Sequence, residues 1–131
     1  MTRRALLAVV AAGVLLRCVN QPTGPQAGVL SVVLSAPQSG VDGAILFTVS
    51  GPAAPTASPS VATGDTLWGG PFTAASNQYV ITGNVRSGTL LTFGVSDVNL
   101  ANQYSATISQ VAASANYSLR SLTGYSLVIS K

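Results

Sequence analysis

Short apolar runs separated by turn-forming residues make up the chain from Val29 to its end. In several of these runs the apolar side chains recur at every second position, as Tyr79, Ile81 and Val85 do, and this period is typical of a strand with one buried face. No window after residue 28 has a helical period. The predicted strands are residues 29–36, 44–50, 60–68, 77–85, 89–95, 103–112 and 125–130, with a short pairing segment at 117–119.

The number and spacing of these strands predict the fold class. Seven or eight short strands with turn signals between them indicate an all-β domain, a single antiparallel β-sandwich of jelly-roll or cohesin-like type, over residues 29–131. No internal repeat of about 20–50 residues is evident. A β-barrel is the alternative that the strand pattern leaves open.

The first 17 residues follow a different pattern, which is that of an export signal. Arg3 and Arg4 form a short positive segment, and residues 5–16 are an unbroken apolar run of 12 residues. A membrane-spanning helix needs about 20 apolar residues, whereas a run of about 10–14 is typical of the apolar part of a signal peptide. We therefore predict a signal peptide, in the form of a helix, over residues 1–17. A helix buried in the core of the domain is the alternative interpretation.

Cys18, the only cysteine of the chain, directly follows this segment. Leu15, Leu16, Arg17 and Cys18 resemble the bacterial lipoprotein signal, in which a leucine and small residues precede a cysteine. In that family the thiol receives a diacylglycerol and the cysteine becomes the new N-terminus, so the resemblance implies that Cys18 carries a lipid anchor. Arg17 departs from the pattern, because the family has Gly, Ala or Ser there. Cleavage elsewhere with secretion, or an uncleaved leader, are the alternatives.

The residues after Cys18 differ from the leader in both flexibility and charge. Residues 19–28 contain two prolines and two glycines and no apolar period, so residues 18–28 are predicted to form a flexible tether. The net charge of +3 belongs to the three arginines before Cys18, and the side chains that follow sum to zero. Nucleic-acid binding is excluded on this basis, because it requires clustered Lys and Arg. The low charge also leaves sheet edges poorly protected, which favours self-association.

A broader resemblance covers residues 28–131. It rests on residues 43–52 (GAILFTVSGP), residues 82–93 (TGNVRSGTLLTF), a following strand that bears a tyrosine, and residues 124–127 (GYSL). These segments resemble small uncharacterised bacterial lipoproteins, whose domain is similar to the β-sandwich of cohesins and carbohydrate-binding modules. The resemblance implies a jelly-roll-like sandwich in the periplasm or at the cell surface. Cohesins bind dockerin modules, but no residue set for that function can be carried over.

The residues that enzymes use for acid–base and nucleophilic chemistry are scarce in this chain. It has no His and no Glu, and its one Cys lies in the leader, so a Ser-His-Asp triad and a zinc or copper site are excluded. Paired carboxylates would have to come from Asp42, Asp65 and Asp97, each beside a predicted turn where Asp commonly caps the backbone. Asp97, Asn99 and Asn102 could offer oxygens to calcium, but no full calcium-loop motif is present. We expect no enzyme activity, no metal and no cofactor.

The aromatic residues provide the candidate binding surface. Trp68, the only tryptophan, precedes Gly-Gly-Pro and then Phe72, and a pair of aromatic rings on a loop can stack on sugars or anchor a protein partner. The interpretation that we favour is that Trp68 and Phe72 instead close one end of the core. Tyr79, Tyr104 and Tyr125 are predicted on core faces.

Together these features predict a non-enzymatic, exported protein of the bacterial envelope. It is a lipid-anchored binding or structural module, held at the membrane in the periplasm or at the cell surface through Cys18. Its partner is an envelope protein or a polysaccharide. The alternative is a secreted carbohydrate-binding module, or a subunit that acts only as an accessory to an enzyme.

Overall fold

The computed structural model describes residues 24–131. The predicted signal peptide, Cys18 and the first part of the predicted tether lie outside the described residues. The described chain is all-β, as the strand pattern predicts. Its elements are β1 (Gly28–Ser35), β2 (Asp42–Ser50), β3 (Ser60–Val61), β4 (Thr66–Trp68), β5 (Ser76–Val85), β6 (Gly88–Val95), the 3-10 helix η1 (Val98–Gln103), β7 (Ser105–Ala113) and β8 (Ser126–Ser130).

The eight strands form two antiparallel sheets that pack as a sandwich. Sheet A has the strand order β3-β6-β1-β8, and sheet B has the order β4-β5-β2-β7. The chain passes from one sheet to the other at every connection except the one between β4 and β5. Neither sheet can therefore form alone from a continuous piece of the sequence.

The core lies between the two sheets and is built from the alternating positions of the sequence pattern. In β1 the residues Leu30, Val32 and Leu34 are buried while their neighbours are at least partly exposed. The inner faces of the other long strands add aliphatic and aromatic side chains, and these two sets meet in one cluster. Its remaining members are Ile45, Phe47, Val49, Tyr79, Ile81, Val85, Leu90, Leu91, Phe93, Val95 and Val111. Burial of these apolar side chains is the main source of stability for a domain without disulfides.

Two bulges shift the period of two inner faces. In β7, Tyr104, Ala106 and Ile108 pack against the core, as their spacing predicts, but the next buried residue is Val111. Leu46 pairs with Gln110 while Phe47 pairs with Ile108, so one extra residue of β7 stands unopposed. A similar irregularity in β6 buries the adjacent residues Leu90 and Leu91.

Three predicted segments differ from the structure. Residues 60–68 are two strands, β3 and β4, which belong to different sheets, because a turn at Gly64 with φ +91° redirects the chain. Strand β7 begins later than residue 103, since η1 occupies residues 98–103. Residues 117–119 form no strand and contribute one bridge, between Leu119 and Ala112.

The antiparallel pairings define two ends of the sandwich. Strand β1 begins at the end that we call the tether end, where Gln26 is fixed: the Val98 N–H donates to its carbonyl oxygen at 2.8 Å, and its own N–H donates to the Asp97 carboxylate at 3.2 Å. The ordered contacts of the domain therefore start inside the segment predicted as tether. The opposite end, where β1 leads into β2, is called the far end.

Candidate functional site

Charged side chains are confined to the ends of the sandwich. Residues 24–131 contain only Asp42, Asp65, Arg86, Asp97, Arg120 and Lys131 as charged residues. In the eight strands of this part of the chain the one charged residue is Asp42, and it is fully buried. Both broad outer faces of the sandwich are therefore uncharged. They present Ser, Thr, Gln and small apolar side chains, and a partner that binds there must be recognised without charge.

Trp68 lies on one of these uncharged faces. It is 55% exposed and belongs to β4, the edge strand of sheet B, where it pairs with Val80. Its indole N–H donates a hydrogen bond of 2.7 Å to the hydroxyl of Thr82 on β5. The expectation that Trp68 closes one end of the core is wrong, because its neighbour Leu67 takes the inward position in β4 and packs against the core. The hydrogen bond fixes one edge of the indole while the ring stays open to solvent.

The surroundings of Trp68 follow from the strand register. Val80 pairs with Leu46, and Leu46 pairs with Gln110, so a row of outward side chains crosses sheet B from one edge to the other. The parallel row below it runs through Gln78, Thr48 and Thr107, and the row above it through Thr66, Thr82, Ala44 and Ala112. We call this surface the Trp68 face. Its hydroxyls and amides can donate and accept hydrogen bonds, and its one exposed aromatic ring can stack.

Phe72 lies only four residues from Trp68 but faces the interior. Its ring stacks on Tyr79 with a centroid distance of 4.5 Å, and Tyr79 stacks on Phe47 at 5.5 Å. The expectation that Phe72 packs at an end of the core is confirmed, and the structure separates Phe72 from Trp68. Phe72 also lines a groove of about 570 Å³ at the tether end, which has no charged side chain in its walls. Its other walls are Pro55, Thr56, Ala57, Ser58, Pro59, Leu67, Gly69, Gly70, Pro71 and Thr73.

A buried polar cluster at the far end contains the carboxylate of Asp42. The Arg120 Nε–H donates to Asp42 Oδ1 at 3.0 Å, and the Tyr125 hydroxyl donates to Asp42 Oδ2 at 2.7 Å. Asp42 is 0% exposed, whereas the Arg120 side chain is 29% exposed and also reaches the carbonyl oxygen of Val41. This cluster joins the start of β2 to the segment before β8. Asp42 was expected to cap a turn and Arg120 to be an exposed cation, and both expectations are wrong.

The cluster is arranged for stability and leaves Asp42 no free oxygen for catalysis. Both carboxylate oxygens accept a hydrogen bond, and a buried charge is tolerated when it is paired in this way. Burial of the Tyr125 hydroxyl, and then its hydrogen bond to Asp42 and the negative charge of that carboxylate, raise the pKa of Tyr125 from 10.0 to about 12, against an opposing effect of Arg120. Tyr125 therefore stays protonated and continues to donate at any physiological pH.

The other two carboxylates have local structural roles. Asp97 caps η1, accepting from the Asn99 N–H at 3.0 Å as well as from Gln26. Asp65 accepts from the Asn84 N–H at 3.1 Å and so joins the turn before β4 to the end of β5. Within residues 24–131 no three carboxylate or cysteine side chains come together as a metal site would require. The loop at Asp97 that was considered for calcium is occupied in capping.

Comparison with known proteins adds no relative to this picture. No protein-family description, no curated protein and no solved structure matches the chain. Among the described residues, no helix has the length and apolar character needed to cross a membrane.

Proposed function

We propose that this protein is a non-enzymatic module of the bacterial envelope, exported by its signal peptide and anchored by a lipid on Cys18. The two arginines, the apolar run of 12 residues and the cysteine directly after it support export and anchoring. The domain then acts as a rigid body that presents uncharged faces to a partner in the envelope.

The observation that carries the proposal is the distribution of charge. The carboxylate that is buried, Asp42, is held by Arg120 and Tyr125, and the other charged groups of residues 24–131 lie in turns or at the C-terminus. A chain without His or Glu has little means to move protons at a substrate. An uncharged, hydroxyl-rich surface suits binding better than chemistry.

The anchor is tested by cell fractionation of the full chain with its own leader. We expect the wild-type protein in the membrane fraction, resistant to high salt and released by detergent. Cys18→Ser removes the thiol that would carry the lipid, and we expect that variant to be lost from the detergent-released fraction. Ser35→Ala, an exposed change at the end of β1, is the matched control and should fractionate as the wild type does. Equal behaviour of wild type and Cys18→Ser would contradict the anchor.

A second candidate function is that of a secreted carbohydrate-binding or enzyme-accessory module, and it is favoured by the exposure of Trp68. An indole ring held by Thr82 among Gln and Thr side chains can stack on a sugar ring while the amides and hydroxyls meet its hydroxyl groups. The lack of charge on this face favours a neutral polysaccharide over an acidic one.

Retention on insoluble neutral polysaccharides tests this candidate. We expect Trp68→Ala to abolish retention, while Tyr117→Ala, which removes a similarly exposed aromatic ring (63% exposed) elsewhere, leaves it unchanged. Phe72→Leu keeps an apolar side chain in the core and tests the groove separately. Absence of retention for the wild type, or equal loss in the Trp68 and Tyr117 variants, contradicts binding by the Trp68 face.

A further inference from the structure

The outer edge of β8 is the one regular strand edge of appreciable length that residues 24–131 leave without a partner. β3 has two residues and β4 has three, too short to pair with another chain. β7 carries a bulge, and its last turn is covered, because the Arg120 N–H donates to the Val111 oxygen at 2.8 Å and the Ala113 N–H to the Ser118 oxygen at 2.9 Å. β8 pairs with β1 in an unbroken register over five residues, and no backbone hydrogen bond within residues 24–131 reaches its other edge.

This edge has none of the devices that usually prevent strands from pairing. β8 and its neighbour β1 contain no charged residue, no proline and, between them, no bulge. Val128 points outward from the middle of β8 and is 60% exposed, next to Val33 of β1. An uncharged strand of β-branched and aliphatic residues is well suited to accept another strand.

The sequence of β8 reads almost the same in both directions. It is Ser126, Leu127, Val128, Ile129, Ser130, so a half-turn about Val128 places serine opposite serine and leucine opposite isoleucine. Two antiparallel copies of this strand would place Leu127 and Ile129 together on the core side, where both already pack, and the serines and valines outside. Lys131 of one copy would lie opposite Tyr125 of the other, so the two lysines would stay far apart.

We propose that β8 pairs antiparallel with β8 of a second copy, joining the two A sheets into one continuous eight-stranded sheet. The pairing is isologous about Val128, so it uses up the free edge of both copies and stops at a dimer. This inference goes beyond the proposed function and does not depend on it, because it rests on the described domain alone.

The symmetry also fixes how the two tether ends are placed. Because the paired strands are antiparallel, the two tether ends point in opposite directions along the strands. Both predicted tethers can then reach one membrane when the strands lie along its surface. In the proposed anchored state this arrangement presents the length of the sandwich, rather than its far end, to the membrane.

Lysine substitution of an outward valine tests the pairing by sedimentation of the full chain, extracted in mild detergent. Val128→Lys places two like charges opposite each other at the centre of the pair, and we expect this variant to sediment as a monomer. Val29→Lys is the matched control, since Val29 is 56% exposed on the same sheet face but far from the axis, and it should remain a dimer like the wild type. A monomeric wild type, a series of larger oligomers, or equal behaviour of both variants overturns the proposal.

Disulfide cross-linking gives a second readout that does not depend on destabilising the pair. Directly opposite residues in an antiparallel pair have Cβ atoms about 4.5–5.5 Å apart, close enough to be bridged after a small shift. We expect Val128→Cys to form a covalent dimer under mild oxidation and Val29→Cys to give no more dimer than the wild type, which carries Cys18 in all three proteins. Cross-linking of both cysteine variants to the same extent contradicts the register.

Discussion

The residue that best illustrates the limits of sequence reasoning is Asp42. Its place beside a turn predicted an ordinary cap, yet it lies fully buried between Arg120 and Tyr125, which are 78 and 83 residues away along the chain. No local pattern marks a contact of that separation, because it depends on how β2 and the segment before β8 meet in space. Trp68 was misassigned for a related reason: alternation places either Leu67 or Trp68 inward, and size alone favoured the tryptophan.

Removal of Arg120 should destabilise the fold strongly. Arg120→Ala leaves the Asp42 carboxylate buried without its cation, and loss of one partner of a buried pair typically costs about 3–5 kcal/mol. Because the arginine side chain is 29% exposed, water can partly replace it, and we expect a loss of about 2–3 kcal/mol in the free energy of unfolding. Urea unfolding measures this loss. Arg86→Ala, in an exposed turn, is the control and should change stability by about 0.5 kcal/mol or less; equal effects of the two variants would contradict the role of the cluster.

Stability at alkaline pH should depend on Tyr125. Its pKa is raised from 10.0 to about 12, so the folded state holds the phenolic proton more tightly than the unfolded chain. This contribution is fully present below pH 10 and is lost as the pH rises towards 12. We expect the free energy of unfolding of the wild type to fall across this window, and Tyr125→Phe to fall less steeply. Tyr79, whose pKa burial also raises, accounts for the decline that remains in the variant. Parallel curves for the two proteins would show that Tyr125 does not titrate in this way.

At the scale of strands, the period of apolar residues predicted most of the fold. The regions of β1, β2, β5, β6, β7 and β8 were all expected, and their inner faces carry the residues that the alternation indicates. The short strands β3 and β4 were merged into one, because two and three residues are too few to show a period. The bulge in β7 was also missed, since one extra residue leaves no signal except the shift from Ile108 to Val111.

Close approach of two elements at Gly43 gives a prediction at this scale. Gly43 is buried in β2, and a Cβ atom there would lie 2.8 Å from the Cα atom of Ser114, which is backbone and cannot rotate away. Gly43→Ala should therefore push the segment after β7 off β2, at a cost of about 1–3 kcal/mol in thermal or urea unfolding. Gly24→Ala, where nothing lies within 4 Å, is the control and should unfold as the wild type does. Wild-type stability of Gly43→Ala would mean that this contact is loose.

At the scale of the whole molecule, the separation of charge explains the character of the protein. The leader holds all of the net positive charge, and the domain confines its own few charged groups to turns, a buried cluster and the C-terminus. The neutral, hydroxyl-rich composition predicted a surface of this kind, but only the register of the strands shows that both faces are free of charge. The sandwich itself could be predicted from the sequence, whereas the placement of Trp68 and the open edge of β8 required the pairing of strands distant in the chain.

Mass analysis of the mature N-terminus tests the central claim, that the domain is lipid-anchored through Cys18, most directly. The protein is isolated from membranes of cells that express the full chain, and its N-terminal peptide is sequenced by mass spectrometry. The account predicts a peptide that begins at Cys18 and carries a diacylglycerol on its sulfur atom. Arg17→Ala, which restores a small residue before the cysteine, should increase the processed fraction. An unmodified Cys18, or a mature terminus at another residue, would contradict the account.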